Sequence, residues 1–130
     1  MNWYKILATN LDKEFNEQFV KGGITPYIEY EGQTISYLIN LTTYKNKDYL
    51  ALNFISSTGK HKNVLNRFKS VVQKHLNVSG IIYEDVISTK VYNKIKHLPQ
   101  IPEKTKTKNS LNPIVQKYFD KYYGTFIEDF

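Results

Sequence analysis

The sequence contains no cysteine, and this absence excludes disulfide bonds, thiolate nucleophiles and cysteine-ligated zinc or iron–sulfur sites. No apolar run approaches the roughly 18 residues that a membrane-spanning helix needs, so we expect no membrane association. The first residues lack the apolar core and cleavage site of a signal peptide, which predicts a cytoplasmic location. A glycine-rich phosphate loop and the G-x-S-x-G elbow of hydrolases are also missing.

Histidine is scarce as well. His61, His75 and His97 are far apart in the sequence and have no clustered carboxylates around them. This spacing predicts no metal site, and we expect no cofactor and no enzymatic activity. The one catalytic alternative is a small ribonuclease that uses His61 or His75, since general acid–base chemistry on a phosphodiester needs a group that titrates near neutral pH.

Positive charge is present in excess and is unevenly distributed. The 130 residues carry a formal net charge of +6, from 17 lysines and one arginine against 12 acidic residues. Residues 45–78 contain seven of the basic residues and a single acidic one. A concentrated positive field attracts polyanions by counterion release, which indicates nucleic acid, DNA or RNA, as the partner. Because lysine lacks the bidentate fork of arginine, we expect phosphate contacts and low sequence specificity.

The hydrophobic pattern predicts an α+β fold. Alternating β-branched and aromatic residues predict three strands, at 26–31, 33–44 and 48–56, joined by turns at Gly32 and at 45–48. Residues 60–77 follow with helical periodicity and a capping hydroxyl from Ser57 or Thr58. We therefore expect a three-stranded antiparallel meander packed against a long amphipathic helix. The apolar arc of this helix consists of Val64, Leu65, Phe68, Val71, Val72 and Leu76.

Additional N- and C-terminal helices are expected around this unit. Apolar residues at helical spacing between Leu11 and Val20 predict a helix that ends at Gly22 and Gly23, whereas the first dozen residues and residues 81–95 fit either a strand or a helix. A polar, lysine-rich and proline-containing stretch begins at residue 99. The predicted organisation is therefore a single α+β domain at 1–98, a polar linker or arm at 99–112, and an aromatic C-terminal helix or tail at 113–130.

Two known architectures share parts of this order. Residues 11–77 resemble in outline a double-stranded-RNA-binding domain, in which the Gly-Lys-His-Lys run at 59–62 opens the second helix at the position of a phosphate-binding lysine cluster. Residues 26–95 resemble an OB barrel, and the ending Phe-Ile-Glu-Asp-Phe at 126–130 resembles the acidic, Phe-terminated tips of single-stranded-DNA-binding proteins. Both resemblances imply nucleic-acid binding, and the second implies a protein partner for the tip.

The candidate nucleic-acid-binding residues combine the cations of the central segment with two neighbouring tyrosines. Lysine and arginine neutralise phosphates, and exposed tyrosine rings provide stacking platforms for bases at about 1–3 kcal/mol each. The set consists of Lys45, Lys47, Lys60, Lys62, Arg67, Lys69, Lys74, Tyr44 and Tyr49.

A second hypothesis belongs to another functional class. Eleven tyrosines and an aromatic C-terminus are typical of protein–protein anchors. On this alternative the chain is a small phage- or mobile-element-type inhibitor that docks a host or replication protein. Its candidate partner-binding residues are Tyr118, Tyr122, Tyr123, Phe126 and Phe130.

Overall fold

A computed structural model describes residues 3–17, 27–59 and 63–130, with only the backbone described for 12–17. The helices are α1 (Trp3–Glu17), α2 (Val64–His75), α3 (Thr89–Ile95) and α4 (Pro113–Gln116), with a 3-10 turn at Lys108–Ser110. The strands are β1 (Tyr27–Tyr30), β2 (Gln33–Tyr44), β3 (Lys47–Ser57), β4 (Gly80–Val86), β5 (Gln100–Ile101) and β6 (Gly124–Asp129). The predicted α+β class is confirmed.

All six strands belong to one sheet, in the order β1-β2-β3-β4-β6-β5. The pairings are antiparallel except that of β3 with β4, which is parallel and has α2 as its crossover. The predicted meander is present as β1, β2 and β3, and three further strands extend it. The order α1-β1-β2-β3-α2 is that of the double-stranded-RNA-binding outline, whereas the sheet of the described residues is open and does not close as an OB barrel does.

Both turns of the meander are two residues long. Glu31 and Gly32 have φ angles of 52° and 71°, and Lys45 and Asn46 have φ angles of 49° and 66°. Two successive positive φ values are the signature of the type I′ hairpin turn, whose twist matches that of the strands. The predicted four-residue turn at 45–48 is therefore wrong in length: β3 begins at Lys47.

A β-bulge in β3 changes which side chains face the helices. The register shifts between Leu38 and Ile39, and Asn53 is the extra residue of β3. Leu52 belongs to the helix-facing core, but Phe54 packs in a cluster on the other face. Strict alternation would place Leu50, Leu52 and Phe54 on one face of β3, but the bulge shifts the alternation by one residue and turns Phe54 to the other face.

The described part of α2 begins later than predicted and buries the predicted arc, while residues 60–62 lie outside the described part. Leu65, Phe68, Val71 and Val72 are buried, and Phe68 lies 6.2 Å from the ring of Tyr37 on the sheet. The expected cap is wrong, because the Thr58 hydroxyl instead accepts the Thr34 N–H at 2.9 Å and joins β3 to β2.

The structure also assigns secondary structure to the terminal segments and to residues 81–95. α1 begins at Trp3, so the first described residues are helical, and the predicted end of this helix at Gly22 and Gly23 lies outside the described residues. Residues 81–95, which fitted either type, form both a strand, β4, and a helix, α3. The expected C-terminal helix is a single turn, α4, and residues Gly124–Asp129 form β6 between β4 and β5. Strand β5 lies within the segment predicted as a linker.

The main core lies between the sheet and the helices α1, α2 and α3. The opposite face carries two smaller clusters, one around Tyr49, Ile82 and Ile127 and one around Leu111 and Val115. Among the described residues, no helix is long and apolar enough to cross a membrane.

The close approach of β4 to β6 at Gly80 is testable. A Cβ atom at this position would lie 2.0 Å from the Glu128 carbonyl oxygen, so we expect Gly80→Ala to lower the free energy of unfolding by about 1–3 kcal/mol, measured by urea denaturation. Amide hydrogen exchange should accelerate in β4 and β6. The control Gly32→Ala, with open space around its Cβ but a φ of 71°, should accelerate exchange in β1 and β2 instead. Equal exchange patterns in the two variants would contradict this packing.

Candidate nucleic-acid interface

The structure divides the predicted nucleic-acid-binding residues between two places. Lys45, Lys47 and the two tyrosines lie at the β2–β3 turn, and the other described cations lie on α2. Lys60 and Lys62 lie outside the described residues.

The basic side chains of α2 point to two different sides of the helix. Arg67 and Lys74 line a groove against α1. Lys69 lies on the other side, where its ammonium group forms an ion pair with Glu128 of β6. The same carboxylate accepts a hydrogen bond from the Tyr83 hydroxyl at 2.7 Å. The charge of Lys69 is therefore compensated within the fold.

The α1–α2 groove has a volume of about 590 Å³. Its cations are Lys5, Arg67 and Lys74, which are exposed and form no salt bridge with any carboxylate whose side chain the structure describes, a set that excludes residues 12–17. The Arg67 guanidinium lies 5.1 Å from the ring centre of Tyr4, a cation–π contact that holds the side chain at the groove. The complete lining is Tyr4, Lys5, Ala8, Thr9, Arg67, Ser70, Val71, Lys74 and His75.

The groove includes two basic residues that the candidate set omits, Lys5 and His75. Residues 1–44 have an acidic balance, so a charge count along the sequence hides Lys5. Lys5 lies one helical turn before Thr9, so both residues are on the side of α1 that lines the groove. The sequence alone does not place Lys5 there, because the segment that contains it fits either a strand or a helix until α1 is seen to begin at Trp3.

The β2–β3 turn lies at the end of the sheet where α2 ends. The Ser79 N–H, which follows α2 closely in the chain, donates to the Asp48 carbonyl at 2.7 Å. Lys45 lies 5.4 Å from the ring centre of Tyr44, which is half-buried. Tyr49 is only 3% exposed, so its ring packs in the sheet and does not present a face to solvent.

The candidate partner-binding residues are also separated. Tyr118 and Phe130 are exposed, at 39% and 40%. Tyr123 is half-buried and stacks on Tyr92 with ring centres 4.1 Å apart, whereas Phe126 is buried in β6. The half-buried Tyr122 directs its hydroxyl into a polar cluster beside the sheet.

This polar cluster is a feature that the sequence analysis missed. The Asp85 carboxylate accepts a hydrogen bond from the Lys106 ammonium at 2.8 Å, and the Tyr122 hydroxyl is shared between Asp85 and Glu103. Burial together with these hydrogen bonds raises the pKa of Tyr122 above its ordinary range. Burial also raises the pKa of the adjacent Glu84. Within the described part of the chain, no group of three or more histidine or acidic side chains is arranged to hold a metal ion.

A strand-end pocket of about 160 Å³ lies next to this cluster, where β3 and β4 diverge. The two strands pair in parallel from Leu50 to Leu52 only. Beyond that point β3 has its bulge at Asn53, and β4 departs from the regular strand at Asp85, whose φ is 50°. The walls are mainly apolar, and polar groups of both strands reach the pocket.

Comparison of the chain with models of protein families, with curated proteins and with solved structures finds no significant match. A functional proposal for this chain therefore depends on the geometry of the described residues.

The Tyr49 hydroxyl yields a pH-dependent prediction. It donates to Asp129 of β6 at 2.6 Å, and this hydrogen bond, with burial, raises the pKa of Tyr49 to about 12. We expect Tyr49→Phe to lower the free energy of unfolding by about 1.5–3 kcal/mol at neutral pH. Because the pKa is raised in the folded state, the stabilisation is complete below pH 10 and is lost as the pH rises through about 12.

Urea denaturation of both proteins across this pH range checks the effect. The difference between wild type and Tyr49→Phe should shrink above pH 10. The control Tyr44→Phe removes a hydroxyl that has no hydrogen bond among the described residues, so a small difference at every pH is expected. A difference for Tyr49→Phe that is constant throughout would show that the hydroxyl does not bind Asp129.

Proposed function

We propose that the protein binds nucleic acid without catalysis, by contacting phosphates along the α1–α2 groove with low sequence specificity. The observation that carries this proposal is a set of three exposed cations on two facing helices around one groove, Lys5, Arg67 and Lys74, which form no ion pair with any side chain that the structure describes.

Charge compensation removes Lys69 and Lys106 from the candidate phosphate ligands and leaves the groove cations. Among the described residues there are two salt bridges, Lys69 with Glu128 and Lys106 with Asp85, and both lie outside the groove. A phosphate that enters the groove therefore meets cations that form no ion pair with any side chain that the structure describes. Release of counterions from the nucleic acid then favours binding.

The walls of the groove suit a phosphate backbone better than a base edge. Ala8, Thr9 and Ser70 are small, and the hydroxyls of Thr9 and Ser70 donate to their own helices at 3.2 and 3.1 Å. These hydroxyls are thus occupied as donors, and ligand contacts fall to the cations. Lysine neutralises phosphate without bidentate geometry, which leaves Arg67 as the single fork in the groove.

Other candidates extend the proposed interface. Lys45 and Lys47 lie at the end of the sheet where α2 ends, and both are exposed. Lys60 and Lys62 precede α2 in the sequence and stay sequence-based candidates. Lys69 does not contribute to the proposal, because Glu128 neutralises it.

Salt dependence is the first test of the proposed function. Each neutralised phosphate contributes about −0.7 to the slope of log K against log salt for a single strand, so three to five contacts predict a slope of about −2 to −3.5. Fluorescence anisotropy with labelled single-stranded and duplex oligonucleotides measures it. Binding that does not depend on salt, or no binding at low salt, would reject the proposal.

A charge-matched pair of double variants then tests the position of the interface. We expect Arg67→Gln with Lys74→Gln to make the single-strand slope shallower by about 1.4, because two phosphate contacts are lost. The control, Lys104→Gln with Lys108→Gln, removes the same charge from exposed positions outside the groove and should leave the slope nearly unchanged. Equal losses in both double variants would mean that net charge, not the α1–α2 groove, attracts the nucleic acid.

A further inference from the structure

A cavity of about 480 Å³ lies between the first turn of α2 and helix α3, and we refer to it as the α2–α3 cavity. Ser57 at the end of β3 and Ser88 just after β4 both line it, so it is at the carboxyl ends of the two parallel strands. This is the usual position of a ligand site in an open sheet with helices. Its volume is within the range of about 300–1,000 Å³ for small-ligand sites, which leaves room for one nucleotide.

Two lysines provide the charge of the α2–α3 cavity. Lys90 and Lys94 are one helical turn apart on the same face of α3. Both are exposed and form no ion pair with any side chain that the structure describes. The described lining contains no acidic residue, since Glu84 and Asp85 line the adjoining strand-end pocket instead. A phosphate in the cavity therefore meets two cations and no carboxylate of the described walls.

The remaining walls combine aliphatic side chains with hydroxyl groups. Ile55, Val64 and Val91 are half-buried and leave part of their apolar surface open to the cavity. Aliphatic surface packs against the face of a base, whereas inorganic phosphate would leave it unused. Apolar walls beside two cations therefore match a nucleotide unit, which has a flat base and an anionic phosphate.

The α2–α3 cavity and the α1–α2 groove meet at the first turn of α2. Asn63 and Val64 line the cavity, and Arg67 lines the groove. The Arg67 N–H donates to the Asn63 carbonyl at 2.9 Å, so these two residues are one helical turn, about 5.4 Å, apart along the axis. Phosphates of one DNA strand repeat about every 3.4 Å along the duplex axis. A strand in the groove therefore needs only a few nucleotides to reach the cavity.

We infer that a single-stranded nucleic acid continues from the α1–α2 groove into the α2–α3 cavity, where the base of one nucleotide packs on the aliphatic wall and its phosphates contact Lys90 and Lys94. A single strand can rotate one nucleotide into a cavity, whereas a paired nucleotide must first unpair and unstack. The inference rests on the proposed function and adds the type of strand: the groove accepts phosphates of either type, and the cavity selects the single strand.

A charge-matched pair of variants tests the cavity by fluorescence anisotropy with a labelled single strand of about 12 nucleotides, within the usual range for one binding module. We expect Lys90→Gln with Lys94→Gln to make the slope of log K against log salt shallower by about 1.4, because two phosphate contacts are lost. The slope for a duplex of the same length should not change. The control Lys104→Gln with Lys108→Gln, outside both sites, should leave both slopes nearly unchanged.

The stoichiometry tests whether one strand occupies both sites. Isothermal titration calorimetry of the full chain with the same single strand should give one strand per chain. Two strands per chain would show that the groove and the cavity bind separately, and would overturn the inference.

The groove variants separate this inference from the proposed function. If Arg67→Gln with Lys74→Gln makes the slope shallower but Lys90→Gln with Lys94→Gln behaves like the control, the groove binds nucleic acid and the cavity does not, which overturns the inference alone. A comparable loss of slope for the duplex on substitution of the α3 lysines would also overturn it, because the cavity then does not select a single strand. No binding of either oligonucleotide by the wild-type chain at low salt would overturn both proposals.

Discussion

The parallel pairing of β3 with β4 is the constraint on which the rest of the structure depends. Parallel neighbours cannot be joined by a tight turn, so the chain must cross over between them, and α2 is that crossover. The crossover places the apolar arc of α2 on the sheet, with Phe68 against Tyr37. The remaining faces of α2 then have fixed neighbours: α1 on one side and the end of β6 on the other.

These neighbours decide which charges of α2 are available to a ligand. Lys69 faces β6 and is neutralised by Glu128, whereas Arg67 and Lys74 face α1 and form no ion pair with any side chain that the structure describes. The pairing of β3 with β4 is also short, and the strands diverge after Leu52. The crevice beyond the carboxyl ends of parallel strands is where open sheets with helices commonly bind ligands, and the strand-end pocket lies there. The position and the short length of the β3–β4 pairing therefore account for both the α1–α2 groove and the strand-end pocket.

The sequence predicts the parts of the fold that local pattern controls. The meander, its Gly32 turn and the buried arc of α2 follow from side-chain periodicity and turn chemistry. The bulge at Asn53 does not, because it is a mismatch between two strands. Strand β6 also escapes prediction, since the aromatic residues at 113–130 fit helical spacing and only pairing with β4 makes the last of them a strand. In the candidate site, the sequence identifies Arg67 and Lys74 as candidates. It does not predict that Lys69 is neutralised, because the partner Glu128 is 59 residues away in the chain.

The central claim is that the α1–α2 groove is the surface that nucleic acid contacts. Amide chemical-shift mapping by NMR on titration with a single-stranded oligonucleotide tests this claim most directly, because it locates the contact without altering any side chain. The account predicts that the perturbed amides cluster on the facing turns of the two helices, around Lys5 and Thr9 on α1 and from Arg67 to His75 on α2. Perturbations confined to residues 113–130, or none at low salt, would contradict it.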